Sequence, residues 1–184
     1  GFPLLIYKSI NFEGFWKPLS IVIYGFSLIV LYAASTFYHA AKEPKLRRKL
    51  NIFDHAAIYV LIAGSYSPFT LIILQGSIGW IVFWFTWLFA LTGIILKLFY
   101  TGRFDKLSTI MYVLMGWQIV FVIKPLIENL ATEGMQLLFA GGVFYTIGAI
   151  IYSIKKIKFN HAIFHVFVLL GSFCHFASIY LYIN

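Results

Sequence analysis

Lys42-Glu43-Pro44-Lys45-Leu46-Arg47-Arg48-Lys49 sets five basic residues between two apolar runs, 18–41 and 53–74. A basic cluster of this density between hydrophobic spans marks the cytoplasmic side of a membrane. The run before it therefore ends inward, and the run after it starts inward.

Composition supports reading those runs as spans. Of 184 residues, 61% are hydrophobic, 20% aromatic and 11% charged, and the mean hydropathy is +0.89. Such a chain is an integral membrane protein. The formal net charge of +8 would suggest nucleic acid in a soluble domain, but most Lys and Arg fall in short loops between apolar runs, so topology accounts for them and no nucleic-acid partner is expected. Cys174 is the only cysteine; it lies in an apolar run, excludes an intramolecular disulfide and reads as a packing residue.

Toward the N-terminus, 1–9 is apolar but reaches only about 13 Å as a helix against a hydrocarbon core of about 30 Å. It reads as the end of a first helix whose start precedes Gly1. A polar connection from Lys8 to Lys17 follows, with Trp16 placed as an interfacial anchor. Pro68, after Gly64 and Ser65, predicts a kink midway along 53–74. Gln75-Gly76-Ser77 reads as a tight outer turn. Beyond it, 78–99 carries Trp80, Trp84 and Trp87, none of which looks catalytic, and Lys97, Arg103 and Lys106 mark a second inner turn. A span over 107–127 returns outward to Lys124-Pro125, and Glu128 to Glu133 forms an outer loop. In 134–154, Gly141, Gly142 and Gly148 permit close helix packing. Lys155, Lys156 and Lys158 mark a third inner loop before 161–183.

The expectation is an all-α membrane protein with a single transmembrane domain over 1–184. Its architecture would be a seven-transmembrane helix bundle, with six complete spans and the tail of a first, the N-terminus cytoplasmic and the C-terminus outside. The sequence shows no repeat, linker or soluble domain, and it leaves the oligomeric state open.

Polar residues in this setting need a physical reason. His161 and His165 are four apart at the start of the last span and share a helix face. Ser35 and His39 are likewise four apart at the inner end of 18–41, and Asp54 reads as a first-turn residue of the next span, at the depth of His39. The orientation, taken from Lys and Arg alone, brings His39, Asp54, His161 and His165 to the cytoplasmic ends of their helices. Three imidazoles with a carboxylate nearby suit a zinc ion that keeps a position for water. Against that stand interhelical hydrogen bonding by neutral histidines, a helix-capping role for Asp54 and a bond from Ser35 to its own helix. Cys174 lies about 20 Å along the helix from His161, too far to be a ligand. His55 faces away from Asp54, His175 reads as a buried hydrogen-bonding residue, and Tyr66, Ser67 and Trp117 receive no role.

The combination resembles a known family. Ser35-Thr36-Phe37-Tyr38-His39, the run from Asp54-His55-Ala56-Ala57 to Ser67-Pro68-Phe69, and His161-x-x-x-His165 look like the signature of the hemolysin III group. That group sits with the progestin and adipoQ receptors, which include the adiponectin receptors, and more distantly with alkaline ceramidases. The resemblance implies seven helices and a zinc ion near the cytoplasmic side held by His39, His161 and His165. It also implies contact between Asp54 and the water at the zinc, and Ser35 beside the site.

Three functions follow as expectations. The first is a zinc-dependent hydrolase of the plasma membrane, bacterial in type, acting on a lipid amide or ester in the manner of a ceramidase. Asp54 would accept or steer the proton and Ser35 would hydrogen-bond the developing oxyanion. The second is a lipid or membrane-state sensor with structural zinc. The third is a pore-forming cytolysin, which the cytoplasmic-style positive loops of a resident membrane protein oppose.

Overall fold

A computed structural model describes residues 1–100 and 105–183. The regular elements among them are all helical: α1 (Phe2–Ser9), α2 (Trp16–Ala40), α3 (Pro44–Pro68) with a π-helical turn (Phe69–Leu74), α4 (Gly76–Tyr100), α5 (Asp105–Trp117), a 3₁₀ segment (Gln118–Val122), α6 (Ile123–Asn129), α7 (Thr132–Ser153) and α8 (Asn160–Tyr182). Six helical segments are long and apolar enough to cross a membrane: Trp16–Ala40, Pro44–Leu74, Gly76–Phe99, Leu107–Asn129, Thr132–Ser153 and Asn160–Tyr182. The chain is thus an all-α, multi-pass membrane protein, with each expected span found and the short α1 ahead of them. The second inner turn, expected around Arg103, lies outside the described residues.

The chain divides into two compact units, Gly1–Ser108 and Thr109–Asn184. In the first, α1 packs on α2, α2 on α3 and α3 on α4. Of the most apolar stretch of Pro44–Leu74, a 72% share is buried, against 33% in Trp16–Ala40 and 28% in Gly76–Phe99, so α3 with its π-helical turn is the centre of this unit. Small residues make that possible. A side chain at Gly64 would run into Ser27 Oγ on α2, so glycine here is what lets the two backbones close.

Two local expectations are corrected. The segment Pro44–Lys49, read as loop, is the first part of α3. Pro44 stands in the first turn, where its missing N–H costs nothing, and the Lys, Leu and Arg that follow are good helix formers. Pro68 therefore lies near the C-terminal end of this long segment instead of midway, and regular α-helix gives way there to the π-helical turn. Proline lacks the N–H that would bond Gly64 O, and the hydroxyls around it bond back to their own helix. Ser67 Oγ donates to Ala63 O at 3.1 Å, and Thr70 Oγ1 reaches Tyr66 O and Ser67 O at 3.0 Å each.

In the second unit α7 packs along α8. A side chain at Gly141 would meet the His175 ring, and one at Gly148 would lie 2.9 Å from Phe167 Cβ. Gly142 instead faces Trp117 at an ordinary 3.8 Å. Polar groups fasten the pair: Tyr145 and Ser172 share a hydrogen bond at 2.9 Å, and Ser178 Oγ donates to Gly134 O at 2.8 Å.

Candidate metal centre

The segment between α7 and α8 fixes how α8 begins. Phe159 takes the left-handed conformation, with φ 60° and ψ 23°, and turns the chain from the loop into the helix. Asn160 then donates from Nδ2 to Tyr152 O at 3.0 Å and to Ile154 O at 3.4 Å. Tyr152 O lies in the last turn of α7, where no helical donor remains, and Ile154 O lies just past it, where it also accepts from Ile157 N at 3.1 Å. One side chain thus ties the first residue of α8 to the end of α7.

With that start fixed, His161 and His165 fall one turn apart. Their Nε2 atoms are 3.0 Å from each other, and the rings meet edge to face with centroids 4.6 Å apart. Two ring nitrogens on a tetrahedral zinc would be about 3.3 Å apart at ordinary Zn–N lengths. The observed separation is a little shorter and is that of a ring-to-ring hydrogen bond; a small opening of the pair would seat a metal. Tyr152 and Phe164 flank the His161 ring at centroid distances of 5.7 and 6.4 Å, and they restrict its rotamers. Lys155 lies over the Tyr152 ring at 4.8 Å.

The remaining candidates belong to the first unit. His39 is the penultimate residue of α2, exposed and packed against Tyr38 with ring centroids 4.7 Å apart. Arg47 caps Tyr38 from α3 at 5.4 Å. Ser35 lies one turn earlier and is half-buried. Asp54 is buried, 6% exposed. It is not a first-turn residue, because α3 starts at Pro44, ten residues and about 15 Å earlier along the axis. Capping and dipole effects fade within the first turn, so neither accounts for a buried carboxylate here.

Other residues resolve simply. His55 turns back on its own helix, with Nδ1 2.8 Å from Asn51 O. His175 Nε2 donates to Leu138 O at 3.2 Å, the buried hydrogen bond that was expected. Cys174 is buried and free. Ser67 accepts from Trp87 Nε1 at 3.2 Å, and Trp117 Nε1 donates to Thr146 Oγ1 at 2.8 Å. Lys97, read only as a topology marker, is 3% exposed within α4. Its signal was present, since an ionisable side chain inside an apolar run is costly unless it is partnered.

These features define a class: a polytopic helical membrane protein with two imidazoles one turn apart at the start of its last span. The family follows from comparison. The family model described as haemolysin-III related matches residues 1–176, and the chain belongs to that family. It is 47% identical over 165 residues to Hemolysin-3 of Bacillus cereus, covering 90% of this chain and 75% of that one. It is 44% identical to the Hemolysin-3 homolog of Bacillus subtilis, covering 97% and 84%. The human monocyte to macrophage differentiation factor is 32% identical over 174 residues, covering 91% and 72%.

Proposed function

We propose that His39, His161 and His165 hold one zinc ion and that the chain is a lipid hydrolase of a bacterial-type plasma membrane, cleaving an amide or ester of an acyl lipid. The single observation that carries this reading is the 3.0 Å approach of the His161 and His165 Nε2 atoms. His39 is the imidazole that the positive-inside orientation brings to the same side of the membrane as that pair. Zinc, when bound, supplies Lewis acidity for hydrolysis near neutral pH.

The chain's own residues do the rest. Asp54 is the proton acceptor: a buried carboxylate has no exposed solvent role, and its cost calls for a function. Ser35 donates a hydrogen bond to the oxygen on which negative charge develops. Apolar helix faces accept the acyl chain.

The test is metal content and acyl-chain release from labelled ceramide and phospholipid in detergent. About one zinc per chain, lost in His161→Ala, with Asp54→Asn retaining zinc but losing turnover by a hundredfold or more, is the expected result. Zinc without turnover in the wild type would make the site structural, as in a membrane-state sensor. Dye release from vesicles by the purified protein, without lipid cleavage, would favour the lytic activity that the bacterial relatives' names suggest.

A further inference from the structure

The two outer turns of the first unit enclose an open pocket of about 290 Å³ that the metal reading does not use. Glu13, Trp16, Lys17 and Trp80 line it, with Thr70 and the Gln75-Gly76 turn. The orientation taken from the basic loops makes this the outer face, at the depth where tryptophans settle among headgroups. Its volume is near the lower end for small-ligand sites.

The walls are already organised. Thr70 is fully buried with its hydroxyl bonded to backbone. Gln75 and Gly76 hold positive φ of 46° and 54°, and Gln75 Nε2 secures the turn by donating to Ile72 O at 2.8 Å. Trp16 and Trp80 meet edge to face at 5.0 Å with their planes at 90°, and Phe15 braces Trp16 at 5.0 Å. Indole faces attract a cation, and the Glu13 carboxylate beside them adds a full negative charge. Lys17 supplies the opposite charge in the first turn of α2, whose N-terminus has no side-chain cap. An anion is favoured there by the ammonium and by the helix dipole together.

A pocket with an aromatic wall, one carboxylate and one ammonium, at headgroup depth, suits a ligand carrying both charges on a short link. We propose that it binds an aminoalkyl phosphate, the headgroup of an outer-leaflet phospholipid of the ethanolamine type. The ligand's ammonium sits against Glu13, Trp16 and Trp80, and its phosphate meets Lys17. The proposal goes beyond the metal site and does not depend on it.

The test uses the full chain in nanodiscs of equal phosphatidylethanolamine and phosphatidylglycerol, with retained lipid counted by native mass spectrometry after extraction. Phosphatidylethanolamine should be retained over phosphatidylglycerol by about tenfold. Glu13→Gln and, separately, Trp80→Leu should bring that preference close to parity, while Lys17→Gln should weaken retention of both lipids. Helicity and zinc content serve as controls and should not move. Equal retention by the wild type, or an undiminished preference in both Glu13→Gln and Trp80→Leu, overturns the proposal. Displacement by millimolar soluble phosphoethanolamine would assign the site to the free headgroup compound. Retained lipid that soluble phosphoethanolamine does not displace assigns it to the intact lipid.

Discussion

Trp117 donates from Nε1 to Thr146 Oγ1 at 2.8 Å, joining α5 to α7 within the second unit. Thr146 in turn donates to Gly142 O at 2.7 Å. In hydrocarbon no water replaces a lost partner, although the unfolded chain in a membrane also finds partners. A double-mutant cycle of Trp117→Phe and Thr146→Val should therefore give a coupling of about 0.6–1.7 kcal/mol by reversible unfolding in detergent. Strictly additive single mutants would show that the bond adds nothing to stability.

Gly64 should tolerate no side chain while Ser27 faces it. Gly64→Val is expected to cost about 1–3 kcal/mol, as overpacking does in other cores. Ser27→Gly introduced into that variant should recover part of the loss. Equal stability of the wild type and Gly64→Val, measured by thermal unfolding in the same detergent, would contradict the close approach of α2 and α3.

Phe159 pays for a left-handed backbone at φ 60° while its ring stays 69% exposed. Phe159→Gly should raise stability by roughly 1 kcal/mol, since glycine adopts this conformation without steric cost. Phe159→Val should lower it. A destabilised glycine variant would mean that the ring's contact with Lys158 outweighs the backbone strain.

Asn160→Ala removes the donor to Tyr152 O and Ile154 O and frees the start of α8. Zinc affinity, read by competition with a chelator, should weaken by about tenfold, within the range found when residues supporting metal ligands are lost. Asn160→Asp keeps the size but not the donor, and it should behave like alanine. Unchanged affinity in both variants would separate the helix start from metal binding.

Much of this was legible in residue order because the bilayer imposes its own arithmetic. Span length, loop charge and the four-residue spacing of His161 and His165 are one-dimensional quantities. They gave the six long helices and the shared face of the imidazole pair. The glycines at 141 and 148 could also be read as packing positions, since small residues are what membrane helices use to approach.

What the sequence could not decide was where helices begin and which partner a polar group takes. The basic run ahead of Asn51 carries both a loop's charge and a helix former's propensity, and only the folded chain shows α3 starting at Pro44. That start moves Asp54 from a first turn into a buried interior position and so removes the capping explanation. The 3.0 Å approach of His161 and His165 needed the side-chain rotamers as well as the spacing. Likewise, two outer turns far apart in the chain form one pocket because α2, α3 and α4 pack side by side. Patterning along the chain reports how each segment meets the bilayer, while partner choice depends on contacts between segments that only tertiary packing creates.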